Sequence, residues 1–191
     1  MAVQSGDLNV AFDMPISMAN TYMNDDKVDV VMDTIGQNVR LFYNMGPKAG
    51  ATADEKVRRA IDKALDFDAI SAVGTAGTRE PVLGYFPEDS KYYNETFTKE
   101  ERAVDVEGAK ELLEEAGYGD GLDLTIVGMQ DQNPVFTVMQ ENLRQVGINL
   151  TINIYDTAQF VEVANGGDYD LIHVGDLVEA RYPTIMSSFQ Q

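Results

Sequence analysis

Three aspartates occupy positions where a ligand or substrate site is expected, at or just beyond the ends of predicted strands. Asp131, Asp156 and Asp176 follow apolar, β-branched segments at residues 122–128, 148–155 and 169–175. Carboxylates in a cleft can act as general acids and bases, or they can pair with a cationic ligand. The residue types alone leave open both an enzyme and a binding protein.

The single histidine, His173, lies within the third of these segments. A general base needs a nucleophile or an orienting partner, and the sequence identifies neither, so a structural role is the simpler interpretation. The glycine-rich stretch at residues 74–80 lacks the Lys-Ser/Thr pair of a phosphate-binding loop. The acidic stretch at residues 23–29 lacks the glycine and the terminal glutamate of an EF-hand loop. The motifs therefore predict no catalytic residues, no metal site and no cofactor.

The composition excludes further classes of protein. The 191 residues include 14 Lys+Arg against 32 Asp+Glu, for a formal net charge of -18. Such a surface repels phosphate groups, so we expect no binding to nucleic acid or to anionic membranes. The absence of cysteine excludes disulfides, zinc thiolate sites and cysteine nucleophiles. With 44% apolar residues, the chain can form a folded core.

The three segments are separated by helical patterns, which gives the order β-α-β-α-β. The helix before the first strand is predicted to end at Gly117. The helix before the second strand is predicted to have Asn133 as its N-cap, Pro134 as its first residue and Gly147 as its end. This order implies parallel strands joined by right-handed crossovers, whose carboxyl ends meet at one edge. Open α/β sheets bind ligands beyond that edge. Here it would contain residues 128–131, 155–157 and 175–179.

The first half of the chain is predicted to contain short strands and one strongly amphipathic helix. Strands are predicted at residues 8–12, 28–32 and 39–43, the last two as a hairpin or as neighbours. Thr52 and Glu55 have the spacing of a capping box at the start of the helix. Its apolar stripe consists of Val57, Ala60, Ile61, Ala64 and Leu65.

Two adjacent arginines lie inside that helix. Arg59 is expected to point away from the apolar stripe, towards water. Arg58 lies at its edge, where we expect a buried stem and a guanidinium paired to a carboxylate. Asp66 and Asp68 are both candidates to cap a second short helix through Val73.

Residues 74–98 form a long predicted loop. Its aromatic residues are expected to be buried, which indicates an ordered segment and not a linker: Tyr85, Phe86, Tyr92, Tyr93 and Phe97.

The order of these segments resembles that of the extracytoplasmic solute-binding proteins of peptide/nickel-type ABC importers, family 5. The strongest similarities are DEKVRRAIDKALDFDAI at residues 54–70 and DVEGAKELLEEAGYGDG at residues 105–121. SGDLNVAF, VRLFYN, MQENLRQVGINLTI and GDYDLIHVG, with Tyr182 and Pro183 beyond, follow the family pattern in the same order.

The resemblance implies an α/β fold, namely a periplasmic-binding-protein-like (type II) lobe with a mainly parallel β-sheet flanked by helices. Residues 1–191 would form one lobe of a two-lobed protein. Within it, residues 1–45 would supply the incoming strands, 46–104 the signature helix and long loop, and 105–191 the βαβαβ-like core. The N-terminal lobe of the same protein would be missing.

The resemblance also implies where a ligand binds. In peptide-binding members, a strand ends in Gly-Trp-x-x-Asp, and that aspartate holds the ammonium group of the ligand. Alignment on Gly175 places Asp176 at the Trp position and Glu179 at the Asp position. The expected ligand-binding residues are therefore His173, Gly175, Asp176, Leu177 and Glu179.

The function that follows is capture of an oligopeptide or related amine-bearing solute for an ABC importer, with a membrane permease as partner and no catalysis. The parent protein would be extracytoplasmic, and residues 1–12 do not have the pattern of an export signal. We therefore expect the chain to be an excised part of a longer sequence. The alternatives are a carboxylate-using enzyme on a doubly wound sheet, with Asp131, Asp156 and Asp176, or a lobe that binds another protein.

Overall fold

Helices and strands alternate between residues 106 and 177. The structure is a computed structural model that describes residues 2–12, 14, 18, 21–31, 37–84, 93–96, 98–129 and 132–177, with the backbone alone at 37–39 and 175–177. The elements are β1 (Gln37–Tyr43), a 3-10 turn (Ala51–Ala53), α1 (Glu55–Ala64), α2 (Phe67–Gly74), α3 (Val106–Glu115), β2 (Leu122–Met129), α4 (Asn133–Arg144), β3 (Ile148–Tyr155), α5 (Thr157–Gly166) and β4 (Leu171–Leu177).

The described strands form one sheet in the order β1-β4-β2-β3. Strand β2 pairs in parallel with both β3 and β4. Strand β1 runs antiparallel to β4, with Gln37 opposite Leu177 and Tyr43 opposite Leu171. The predicted mainly parallel sheet and its β-α-β-α-β order are confirmed.

Helices cover both faces of the sheet, because its strands bury side chains on both sides. One face packs against α1, α3 and α4 around the buried side chains of Ile61, Phe136 and Ile126. The other face packs against α5 through Val127, Phe160 and Ile172. The alternation along β2 places Ile126 and Val127 in different clusters, as expected for a period of two residues.

Aspartates start four of the helices, since their side chains accept hydrogen bonds from unpaired amide groups of the first turn. They are Asp54, Asp66, Asp105 and Asp156. Of the two caps predicted for α2, Asp66 is confirmed, whereas Asp68 lies in the first turn of the helix. The predicted helix ends at Gly117 and Gly147 are also confirmed, with φ of 85° and 83° in the left-handed region.

Two other predicted caps are wrong. Thr52 is buried in the 3-10 turn and its hydroxyl donates to the Asn44 carbonyl at 2.9 Å, so Asp54 takes the cap position. Asn133 is the first residue of α4 and the cap is Gln132, whose side chain does not bond to the helix. The side-chain oxygen Oε1 of Gln132 instead accepts from the backbone amide of Met129 at 2.9 Å.

The predicted carboxylate partner of Arg58 is also wrong. Its guanidinium Nη1 donates to the carbonyls of Thr52 and Ala53, at 2.9 and 2.8 Å. The arginine therefore binds the 3-10 turn that precedes its own helix. Arg59 is exposed and pairs with Glu55 at 2.8 Å, one helical turn away.

The incoming strands differ most from expectation. Residues 8–12 and 28–31 are described and form no strand, while Met32 lies outside the described residues. The predicted hairpin is therefore absent, and β1 takes β4 as its partner. A strand requires a hydrogen-bonded neighbour, and the described residues offer residues 8–12 none.

Other expectations fall outside the described residues. Tyr85, Phe86, Tyr92 and Phe97, which were expected to be buried, are among the residues that the structure does not describe. Tyr93 is described and is partly buried. No helix among the described parts of the chain combines the length and the apolar character needed to cross a membrane.

Candidate functional site

The carboxyl ends of the parallel strands define the candidate site. Residue pairing of β2 with β4 joins Ile126 to Leu171 and Val127 to Ile172. Continued along the strands, this register brings His173 level with Gly128 and Val174 level with Met129, the last residue of β2. Residues 175–177 therefore project beyond the end of β2.

Strand β1 borders this projecting end on its other side. The backbone of Gly175 pairs with Val39, Asp176 with Asn38, and Leu177 with Gln37. Because β1 begins at Gln37, the chain enters the sheet at the same edge where the parallel strands end. The predicted ligand-binding positions Gly175, Asp176 and Leu177 are thus brought together beside the point of entry.

His173 faces the helix layer beneath this edge. Its side chain is only 7% exposed, and its ring meets the ring of Phe136 edge-on, with centroids 5.3 Å apart. Phe136 in turn lies directly on Gly128, where an added Cβ would overlap its ring. The structure places His173 behind the strand ends, and its contact with a ligand stays a prediction.

The remaining predicted site residues are placed as follows. Glu179 and Asp131 lie outside the described residues. Asp156 is at the end of β3, where its carboxylate accepts from the amide of Gln159 at 2.9 Å and caps α5. This cap gives Asp156 a structural role. The ligand roles of Gly175, Asp176, Leu177 and Glu179 stay predictions.

Sequence reasoning missed a polar anchor at the opposite end of the sheet. Asn44, 6% exposed, follows β1, and its Nδ2 donates to the carbonyls of Gly167 and Tyr169 at 2.9 and 2.8 Å. Its backbone N–H donates to the Asp170 carbonyl at 2.8 Å. Asp170 accepts from the amide of Thr125 at 2.8 Å, so the anchor links β1, β4 and β2. The available signal was an asparagine directly after an apolar strand.

Tyr43 lies beside this anchor. Burial raises the pKa of its phenol, with a further contribution from Asp62. The hydroxyl donates to the carbonyl of Arg58 at 3.4 Å. This tyrosine is at the end of β1 away from the candidate site, so its role is structural.

Two other observations concern possible sites. Within the described residues, no group of three or more His, Asp or Glu side chains could hold a metal ion. An open groove of about 290 Å³ lies between α4 and the first half of β3, lined by Gln140, Glu141, Arg144, Gly147, Ile148, Asn149 and Leu150. It is at the end of β3 that is remote from the candidate site.

Comparison with known proteins gives the same architecture. The sequence profile of bacterial extracellular solute-binding proteins, family 5, middle region, matches residues 1–184. The structure of the ABC transporter substrate-binding protein CtaP from Listeria monocytogenes superposes with a TM-score of 0.84 at 19% identity, over 98% of this chain and 39% of that one. This similarity confirms the periplasmic-binding-protein-like fold.

Curated relatives are also similar in sequence. The chain is 26% identical over 160 residues to glutathione-binding protein GsiB of Pectobacterium atrosepticum, which covers 82% of this chain and 30% of that protein. It is 27% identical over 127 residues to di/tripeptide-binding protein 1 of Pseudomonas aeruginosa, which covers 63% of this chain and 23% of that protein. The chain thus spans less than a third of the length of these relatives.

The family match covers nearly the whole chain, and the fold agrees with it. The expectation from the sequence motifs is confirmed. The chain belongs to the family 5 bacterial extracellular solute-binding proteins.

Proposed function

We propose that the chain is one lobe of a two-lobed protein that captures a short peptide or related amine-bearing solute for an ABC importer. Residues 1–191 form this lobe, with incoming segments at 1–45, the signature helix and long loop at 46–104, and the core at 105–191. The observation that carries the proposal is the pairing of Gln37 with Leu177. It joins the chain's entry into the sheet to the edge where open α/β sheets bind ligands.

This arrangement suits a clamp that closes on a ligand. Strand β1 is fixed to the base of the sheet by Asn44, so β1 moves with the lobe. A ligand that contacts both lobes favours the closed state, because only that state makes both sets of contacts.

The ligand contacts in this lobe come from the end of β4 and the residues after it. A carboxylate of Asp176 or Glu179 pairs with the ligand ammonium, while the backbone at Gly175 and Leu177 forms the adjoining wall. His173 supports this wall from behind through Phe136. Two relatives, a glutathione-binding protein and a di/tripeptide-binding protein, support a ligand of this class.

The protein carries out no covalent chemistry in this proposal. Asp156 caps a helix, which removes one carboxylate from the enzyme alternative. The family consists of extracellular solute-binding proteins. We therefore place the two-lobed parent outside the cytoplasm, with the membrane permease of an importer as its partner.

Calorimetry on the longer, two-lobed protein tests the proposed ligand class. The ligands are a pool of tripeptides and the same pool after N-acetylation, which removes the ammonium group. The proposal predicts saturable heat from the free peptides and at least about 30-fold weaker binding after acetylation. The reason is that the desolvated carboxylate of the protein then has no ammonium group to pair with. Heat from sugars or anions alone would rule the proposal out.

Charge-neutral variants identify the carboxylate. Asp176→Asn or Glu179→Gln is expected to weaken binding of free peptides while leaving the acetylated pool unaffected. Asp120→Asn, in an exposed turn, is the matched control and should change neither. If both site variants bind free peptides like the wild type, the proposed contact is wrong.

A further inference from the structure

The outer edge of β3 is a second surface with a defined geometry. Strand β3 is at the end of the described sheet and has β2 as its one described neighbour. The amide of Leu122 donates to the carbonyl of Gly147, the residue before β3, so the backbone groups of Gly147 point towards β2. The odd-numbered residues of β3 share this direction. Along a strand, the backbone N–H and C=O groups of successive residues point alternately to one side and the other. The backbone groups of the even-numbered residues of β3 therefore point outwards.

One side chain covers part of this edge. Gln140 of α4 donates from Nε2 to the carbonyl of Leu150 at 2.7 Å, which also confirms that this carbonyl faces outwards. The outward groups of Ile152 and Ile154, further along β3, receive no such bond from the part of the chain that the structure describes. The second half of the strand is thus the open half.

The same strand lacks the charges that normally protect a sheet edge. Its sequence, INLTINIY, has no charged residue, whereas β1 contains Arg40, β2 contains Asp123 and β4 contains Asp176. In a chain with a net charge of -18, most approaches between two copies are repulsive. The edge of β3 is the strand surface at which two copies can meet without opposing like charges.

We propose that a second copy of this chain pairs with β3 in an antiparallel, two-fold arrangement. The register that leaves the Gln140 bond intact pairs Ile152 with Ile154 of the second copy and centres on Asn153. The carboxamide of Asn153 then meets its own equivalent. An amide has both donors and an acceptor, so it is complementary to itself. This self-complementarity makes a second copy the occupant, and the inference does not depend on the proposed ligand.

The absence of cysteine allows a direct test by disulfide formation in the 191-residue chain. In this register Asn153 faces Asn153 as a pair without hydrogen bonds, whose Cα atoms lie about 4.5 Å apart. This separation suits a disulfide. Asn149 lies on the same strand and the same face but is four residues from the two-fold axis. The two Asn149 residues of the dimer are therefore about 26 Å apart.

Asn153→Cys is therefore expected to cross-link into a covalent dimer under mild oxidation, and Asn149→Cys is the matched control that should not. Equal cross-linking of both variants would overturn the register, because it indicates random collision. Failure of Asn153→Cys to cross-link, with a native circular dichroism spectrum, would overturn the pairing itself.

Sedimentation equilibrium of the unmodified chain gives a second readout that needs no variant. We expect dimers whose fraction rises with salt, since salt screens the repulsion between two acidic chains. Asn153→Lys places like charges opposite each other and should raise the dissociation constant about fivefold, whereas Gln159→Lys, the same charge change on exposed α5, should not. A monomer at all concentrations, or dimers that dissociate with salt, would overturn the proposal.

Discussion

Phe136 of α4 and His173 of β4 meet edge to face, with ring centroids 5.3 Å apart and an interplanar angle of 79°. The contact joins the first turns of α4 to the strand whose end forms the candidate site. It is possible because residue 128 of β2 is glycine, which leaves the space that the Phe136 ring fills. The packing behind the strand ends therefore depends on three residues from three elements.

Gly128→Ala is expected to destabilise the protein by about 1–3 kcal/mol, because the added methyl group overlaps the ring of Phe136. Urea denaturation followed by circular dichroism measures the change. Gly119→Ala is the control, since its Cβ would meet Glu114 at an ordinary 3.5 Å. Phe136→Leu should recover part of the loss in the double variant. Equal effects of the two alanine substitutions would contradict the packing described for Gly128.

The adjacent arginines of α1 provide a matched pair. Arg58 donates to two carbonyls of the 3-10 turn, whereas exposed Arg59 makes one surface ion pair. We expect Arg58→Ala to cost about 1–2 kcal/mol of unfolding free energy and Arg59→Ala less than about 0.5 kcal/mol. Thermal denaturation at constant pH distinguishes them. A larger effect at Arg59 would refute the structural role assigned to Arg58.

Asn44 should be among the most sensitive polar positions. Asn44→Ala removes two hydrogen bonds to the carbonyls of Gly167 and Tyr169 and is expected to cost about 2–3 kcal/mol. Asn44→Asp should not restore stability, because a carboxylate cannot donate to those carbonyls. Chemical denaturation gives both values, with exposed Asn94→Ala as the control. Wild-type stability of Asn44→Asp would show that the anchor does not act through its amide donors.

The ion pair between Lys63 and Asp105 predicts a pH dependence of stability. The Lys63 ammonium at 2.6 Å, with the amide of Gly108, holds the pKa of Asp105 below its usual range. A carboxyl group whose pKa is depressed by folding stabilises the protein above its unfolded pKa, about 3.9, and this contribution is lost as the pH falls through the folded value.

Asp105→Asn should therefore lower the urea midpoint at pH 7 more than at pH 3. Asparagine keeps the ability to cap α3, so the variant isolates the charge. Glu111→Gln, exposed on the same helix, is expected to show no such difference. A loss that is equal at both pH values would indicate that the Asp105 charge does not contribute.

The helices and the β-α-β-α-β succession along the chain were predictable from local signals. Apolar periodicity located α1, α3 and α4, and Gly117 and Gly147 marked ends that need a left-handed residue. Caps were less predictable, because Thr52 and Asp54 are both good cap residues two positions apart. A tertiary hydrogen bond from Thr52 to Asn44 decides between them.

The partner of β1 could not be predicted from local signals. Its pairing joins Gln37 to Leu177 across most of the chain, whereas turn residues indicate only neighbouring strands. The burial of His173 was predictable in part: it shares a face of β4 with Leu171, which is a core residue. The predicted ligand residues rest on family motifs alone, since no local rule distinguishes Asp176 from other carboxylates.

Parallel calorimetry of the 191-residue chain and the two-lobed protein, each titrated with the same pool of tripeptides, tests the central claim most directly. If this chain is one half of a clamp, the longer protein binds saturably and the isolated lobe at least about 100-fold more weakly, because half of the ligand contacts are missing. Equal affinity of the two proteins would contradict the account, since the lobe would then hold a complete site.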